Sequence, residues 1–374
     1  MTLKILVLYG TRPEAIKMAP VVAALRRDGF FAVTVCTTAQ HREMLDQVQD
    51  LFDLRADIDL GLMRPDQSLN ELASHAFAAL DRVLAERAPD WVLVQGDTTT
   101  AMVGAFAAFH RGVWVGHVEA GLRTGDLRHP FPEEANRKAI DVVADALFAP
   151  TERACAALRA EGVPDERIFL TGNTVVDALQ HIARRLPEGE RADEVLVTVH
   201  RRESFGEPLT GIFAALRELA EAFPAVRWVF PVHRNPNVRE PARRLLSGLP
   251  NVELHEPFDY LELLRRLRSA RLAVTDSGGI QEEAPAFGTP VVVLRETTER
   301  PEGVAAGNAL LAGTDRRRIF AEVARLLRDE PARRRMAAAV NPYGDGRAAE
   351  RIAAILKGET IVPFETRVSS ARTA

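Results

Sequence analysis

Carboxylates, arginines and histidines recur in this 374-residue sequence directly behind short apolar runs, where a site would gather if those runs are parallel strands. Behind "KILVLY" comes "GTRPEAIK", in which Gly10 permits a tight turn and Arg12 and Lys17 can reach an anion near the next helix. Behind "WVLVQ" comes "GDTTT". Its Asp97 is either a helix cap or a reacting carboxylate, and for a lone Asp the cap is the expected reading. Behind "VWVGHV" comes "EAGLRTGD". A carboxylate closing a buried strand needs a partner or a purpose, so Glu119 is expected to face Arg123 or His117. In "HPFPEEANR", Pro132 suits the first position of a helix, which puts Glu133 and Glu134 where unpaired N–H groups favour negative charge. Those residues alone do not show whether either glutamate also moves a proton.

The second half repeats the arrangement with other residue types. "VTVHRRESFG" sets His200 at a strand end, followed by Arg201, Arg202 and Glu203, and "FPVHRNPN" adds His233 and Arg234. A histidine beside arginines at such a point suits the handling of an anion. In "TDSGGIQEEAP", Ser277, Gly278 and Gly279 lie between a strand and a helix expected to begin near Ile280. Backbone N–H groups at that kind of turn cradle phosphate, and glycines let it approach. Glu282 and Glu283 follow one turn in, where a carboxylate can accept from sugar hydroxyls, and Arg295 and Arg300 stand in the next turn region. Together these residues describe a diphosphate site with arginines and a glycine turn on one side and carboxylates on the other.

The elements that must position them follow from the apolar pattern. Runs such as "KILVLYG", "FAVTVCT", "WVLVQGD", "EVLVTVH" and "LAVTDSGG" lack polar alternation, which suits strands buried on both faces of a parallel sheet. Helix-length amphipathic stretches separate them, so right-handed βαβ units are expected. The pattern restarts after the polar stretch near 186–194. The expected fold is α/β, with two Rossmann-like doubly wound domains facing a central cleft, residues 1–185 and residues 186–345.

Bulk properties exclude several classes. Net charge is −4 with basic residues spread along the chain, which argues against a nucleic-acid surface. The only cysteines, Cys36 and Cys155, have no spacing partner, so reduced thiols in a cytoplasmic setting fit and a thiolate metal site does not. No carboxylate cage or paired-histidine motif predicts a metal. A nicotinamide fingerprint needs spaced glycines where only Gly10 stands, so no cofactor is expected. "MTLKILVLYG" reads as a first strand rather than a signal peptide, and no apolar run is long enough for a bilayer.

Taken in order, "GTRPEAIKMAP", "TAQHREMLDQV", "GDTTT", "GHVEAGLRTGD", "PEEANR", "TGNTVVDAL", "HRRESFG", "PVHRNPNVREP", "TDSGGIQEEAP", "TTERPE" and "NPYGDG" resemble the non-hydrolysing UDP-N-acetylglucosamine 2-epimerases of bacteria across nearly the whole chain. The resemblance implies a glycosyltransferase-B-like fold whose closing helix, about 346–358, crosses back onto the first domain. It implies interconversion of UDP-N-acetylglucosamine and UDP-N-acetylmannosamine through loss of UDP to 2-acetamidoglucal and its re-addition. Carried over by motif, Asp97, Glu119 and Glu133 are the acid–base candidates, with Asp97 preferred for elimination and the two glutamates for re-addition. His200 lies near the diphosphate; Arg12, Lys17, Ser277, Gly278, Gly279 and Arg300 bind it or support its site; Glu283 takes the ribose hydroxyls. Phe258, at a position where relatives vary, borders the uracil pocket.

A second, activating UDP-N-acetylglucosamine site would use Gln40, His41, Arg202 and His233. Asp66 departs from the basic residue some relatives carry there, which weakens the case for activation unless Arg64 compensates. Val199 stands where glycine is common and would tighten the backbone around His200. The expected partners are UDP-N-acetylglucosamine, UDP and a second copy of the chain, with no membrane and no nucleic acid. The rival readings are a glycosyltransferase of the same fold, a hydrolysing 2-epimerase and a UDP-sugar sensor.

Overall fold

A computed structural model describes residues 2–38, 48–64, 66–186 and 191–365, and for Arg202 the backbone alone. Gln40 and His41 lie outside the described residues. The apolar runs form strands as their lack of alternation requires. In the first unit these are β1 (Leu3–Tyr9), β2 (Phe31–Thr37), β3 (Ile58–Asp59), β4 (Trp91–Gln95), β5 (Trp114–Val118), β6 (Ala146–Ala149) and β7 (Ile168–Leu170). They pair in parallel in the order β3-β2-β1-β4-β5-β6-β7. The second unit holds β8 (Ala192–Thr198), β9 (Arg227–Pro231), β10 (Val252–His255), β11 (Ala270–Thr275), β12 (Val291–Val293) and β13 (Ala309–Leu311), also parallel, in the order β10-β9-β8-β11-β12-β13.

Two parallel-sheet α/β domains are therefore present, as the sequence predicts. In each, strand order reverses beside the first strand, between β1 and β4 and between β8 and β11. The crossover helices leave those sheets in opposite senses on either side of the reversal, which opens a crevice at the strands' C-terminal ends. Leu6, Leu8, Val94, Val115 and Leu147 pack in the core of the first unit, and Phe213, Trp228 and Phe230 in that of the second. Cys36 and Cys155 are buried free thiols, pushed up by burial to about 12 and about 11.

The chain divides into residues 1–178 with 343–365, and residues 179–342. The first division falls inside the helix Thr174–Ala183, ahead of the polar stretch 186–194, part of which belongs to β8. The returning helix Ala348–Leu356 packs against Arg12–Arg27 within the first unit. Its first amides, Ala348 and Ala349, donate to the Asp177 carboxylate at 3.3 and 2.9 Å. Burial nevertheless pushes that carboxyl up to about 6, the amides opposing it. Because the folded value lies above the unfolded one, the stability Asp177 contributes is complete below about pH 4 and lost as pH rises through about 6. Urea midpoints measured from pH 4 to 7 are expected to fall less in Asp177→Asn than in the parent; equal slopes would remove Asp177 as their source.

Candidate active site

The turn after β1 is built around Glu14. Its carboxylate accepts from the Gly10 and Thr11 amides at 3.1 and 2.7 Å, from the Thr11 hydroxyl at 2.7 Å and from the Thr98 hydroxyl at 2.7 Å. Burial raises this carboxyl above the ordinary range while those four donors pull it down. Glu14 thereby ties the β1 turn to the β4 turn. Gly10 serves this packing rather than a special φ, since a Cβ there would stand 2.5 and 2.7 Å from the Thr38 and Thr100 hydroxyls. Arg12 is the first residue of the helix Arg12–Arg27.

Asp97 does not cap the helix that follows it. Thr98 takes that role, its hydroxyl accepting from the Ala101 amide, because the extended backbone of Thr98 is the one that meets the helix start. The Asp97 carboxylate instead accepts from Arg137 at 2.6 Å, and its backbone carbonyl accepts from Asn136 at 2.9 Å. Both donors belong to the helix Glu133–Val143, so Asp97 and Glu133 are brought to one edge of the sheet by a single helical turn. Pro132 is the residue flanking this helix rather than its first member, and no side chain caps the start.

The neighbouring glutamates of that turn separate cleanly. Glu134 is fully buried, accepts from the Thr124 and Gly125 amides at 3.1 Å, and pairs with Arg137 at 3.2 Å. Glu133 has a buried Oε2 with no hydrogen-bond partner. A buried carboxylate oxygen left unsatisfied is costly, and such a group in a native fold calls for a function.

Glu119 follows β5 with φ +69, a left-handed conformation that strains a residue carrying a Cβ. The expected partners Arg123 and His117 are not its partners. Both turn away to Asp141, Arg123 at 2.7 Å and the His117 Nδ1 at 2.5 Å. Glu119 instead meets Lys17, whose ammonium lies 2.6 and 2.7 Å from its two oxygens, together with the side-chain amides of Gln95 and, at 2.9 Å, Asn173. Lys17, carried by the first helix, is thus set on a carboxylate within the first unit. Gly96 donates its N–H to the Val118 carbonyl at 3.0 Å, so Asp97 and Glu119 leave adjacent strand ends side by side.

In the second unit the reversal point is organised by Asp276, which is fully buried at the end of β11. Its Oδ2 accepts from the His200 and Arg201 amides at 2.8 Å each, and its Oδ1 lies 3.2 Å from the His200 ring. The His200 ring stacks on His233 at 5.7 Å. Partial burial, and then the neighbouring His200, hold the His233 imidazole below its usual value.

The helix Gly278–Glu283 begins two residues earlier than the sequence suggests, with Ser277 at its N-cap position. A Cβ on Gly278 would stand 3.4 Å from the Arg300 guanidinium and 3.5 Å from that of Arg201, so the glycine keeps open the space on which two cations converge. Arg300 also pairs with Glu282 and Glu299 at 2.7 Å each. Glu282 is therefore committed to an arginine rather than to a sugar. Against the upward push of burial, Arg300, Arg295 and Arg201 hold Glu299 below the usual carboxylate range. The Tyr260 hydroxyl donates to Glu283 at 3.0 Å and orients it. Phe258 packs against His255 at 5.1 Å, with Arg266 over its ring.

Gln95, Asn173 and Asp276 are the site residues that reading the sequence passed over, since nothing local marks them, whereas Arg201 stands among the arginines read beside His200. Among the described residues no group of histidine, cysteine and carboxylate is arranged to hold a metal ion, and no helix is long and apolar enough to cross a membrane.

A family model described as UDP-N-acetylglucosamine 2-epimerase matches residues 23–357. The UDP-N-acetylglucosamine 2-epimerase of Salmonella typhimurium is 52% identical over 370 residues, 95% of this chain and 98% of that protein. The crystal structure of UDP-GlcNAc 2-epimerase from Neisseria meningitidis, bound to UDP-GlcNAc, is similar with a TM-score of 0.88 at 43% identity, covering 96% of this chain and 100% of that one. A glycosyltransferase of kitacinnamycin is similar in fold alone, with a TM-score of 0.62 at 16% identity over 96% of this chain and 99% of that one.

Proposed function

This chain belongs to the UDP-N-acetylglucosamine 2-epimerase family, and from that premise we propose that it interconverts UDP-N-acetylglucosamine and UDP-N-acetylmannosamine by eliminating UDP and adding it back. The hydrogen on carbon 2 of the sugar is not acidic, since no neighbouring carbonyl stabilises a carbanion. Elimination avoids the carbanion. A carboxylate takes the carbon-2 proton while the carbon 1–oxygen bond breaks, its electron pair leaves with UDP, and 2-acetamidoglucal forms. A carboxyl on the opposite face of carbon 2 then returns a proton as UDP adds back to carbon 1, which inverts the centre. The reaction therefore needs more than one acid–base group and a firm hold on a charged leaving group.

The observation that carries this reading is the gathering of Asp97, Glu119 and Glu133 at one strand-end edge of the first unit, each in a different electrostatic setting. Asp97 is ion-paired to Arg137, Glu119 to Lys17, and Glu133 keeps an unpartnered oxygen. Asp97 remains our choice for elimination, with the two glutamates serving re-addition. The second unit supplies the nucleotide side: Arg201 and Arg300 converge where Gly278 leaves room for a diphosphate, and His200 is braced by Asp276 nearby. Ser277 and Gly279 would complete the diphosphate contacts of the second unit, Glu283 would take the ribose hydroxyls, and Phe258 would border the uracil. No metal or cofactor takes part in this scheme.

The same reading extends to a homodimer working in the cytoplasm and to activation by a second UDP-N-acetylglucosamine. Of the residues proposed for that second site, His233 stacks on His200, which on this reading would stand near the diphosphate, while Gln40, His41 and the Arg202 side chain lie outside the described residues.

Incubation with UDP-N-acetylglucosamine in heavy water, followed by proton NMR, tests the chemistry directly. Both epimers are expected at equilibrium, with deuterium at carbon 2 and without added metal or nicotinamide. An unlabelled carbon 2 removes the elimination route. Free N-acetylmannosamine as the main product would instead identify a hydrolysing enzyme.

A further inference from the structure

We propose that Asn173 is a positioning residue for the reaction, holding Glu119 in place from the point where the chain both leaves and re-enters the first unit. The inference rests on the reading of Glu119 as an acid–base group given above. Asn173 is buried just after β7, and its Nδ2 donates to the Glu119 Oε1 at 2.9 Å. Its Oδ1 accepts from the Val175 amide at 3.0 Å, which fixes the amide so that the donor end, not the acceptor end, faces Glu119. Its own N–H donates to the Tyr343 carbonyl at 2.7 Å, and its carbonyl accepts from Val176 at 3.1 Å. Every polar group of the residue is therefore engaged, and one of them is spent on the reacting carboxylate.

The surroundings leave this amide little freedom. A Cβ on Gly344 would stand 3.3 Å from the Asn173 carbonyl and 3.2 Å from Val176, so the returning segment presses directly on the turn. Arg351 ties the same segment down, donating to the Thr171 carbonyl at 2.9 Å and pairing with Asp345 at 2.7 Å. Both covalent connections between the units start here: outward through the helix Thr174–Ala183, which begins at the next residue, and back at Tyr343, whose carbonyl Asn173 holds.

Lys17 cannot replace this contact. Its ammonium is a point charge on a flexible stem, able to follow the carboxylate wherever it turns, whereas a planar amide held at both ends defines a direction. With its backbone strained, Glu119 depends on its donors for alignment, and a displacement of about 1 Å at a reacting group can cost on the order of a hundredfold in rate.

The test uses the full chain with two substitutions. Asn173→Ser keeps a short acceptor for Val175 but cannot reach Glu119; Asn173→Asp keeps shape and acceptor but turns an oxygen towards the carboxylate. We expect kcat to fall by about tenfold or more in the serine variant and further in the aspartate variant. KM and UDP affinity should stay near the parent's in both variants, and the urea midpoint near the parent's in the serine variant, whereas the aspartate variant is expected to lose stability as well because it sets two buried carboxylates face to face. A kcat within about twofold of the parent, or a loss that merely tracks the fraction unfolded, overturns the inference. Glu119→Gln is measured alongside by deuterium incorporation at carbon 2. Its inactivity with normal Asn173 variants sinks the role of Asn173 alone; its full activity sinks the reading of Glu119 and the Asn173 inference with it.

Discussion

Glu133→Gln is expected to leave the protein folded and to cut turnover by roughly a hundredfold or more, the scale set by loss of an acid–base group. The substitution preserves volume and touches no cap, since no side chain caps the helix Glu133–Val143. What it removes is the ability of one oxygen to take or return a proton, and Glu133 Oε2 is buried without a partner to explain its presence otherwise. The helix loses one negative charge near its positive end, an effect of about 0.3–1 kcal/mol. Turnover by coupled UDP-sugar assay and stability by urea titration separate the two contributions. A variant that unfolds earlier yet turns over like the parent would reduce Glu133 to a helix-dipole residue.

The adjacent substitution should behave in the opposite way. Glu134→Ala is expected to cost about 3–5 kcal/mol of stability, the range for removing one partner of a buried ion pair. The buried Arg137 guanidinium would lose one of its two carboxylate partners, and the amides of Thr124 and Gly125, on an exposed loop, would lose their acceptor. With folded proteins stable by only about 5–15 kcal/mol, such a loss is a large share of the total. Activity should fall as well, because Arg137 also holds Asp97. Urea denaturation at neutral pH measures the effect, with Glu134→Gln retaining acceptor capacity and so part of the stability. A loss below about 1 kcal/mol would mean that water reaches these donors in the variant.

Neighbours in sequence thus receive opposite duties because a helix turns by about 100° per residue. Glu134 faces the loop that carries Thr124 and Gly125, whereas Glu133 presents an oxygen with no partner. The sequence reading separated the pair by motif; the geometry supplies a physical ground for it.

Much of the architecture was legible without coordinates. Unalternating Val, Leu and Ile runs admit little except strands covered on both faces, and helix-length spacers between them force parallel order. The C-terminal strand ends that carry Asp97, Glu119, His200 and Ser277 follow from that pattern, whereas the points where strand order reverses do not. Local rules erred where two residues competed for one role. Asp97 and Thr98 are both good N-caps, and only the path of the chain decides which of them meets the helix.

The sequence by itself determined the strands, their parallel order and the chemical types waiting at their ends, because these depend on periodicity and turn chemistry within a few residues. The tertiary structure alone decided who faces whom. Glu119 is held by Lys17, 102 residues away, and by Asn173, 54 residues away, while its near neighbours His117 and Arg123 serve Asp141. Such pairings are set by which strand ends the sheet order places side by side, and nothing in the local pattern around Glu119 encodes that order.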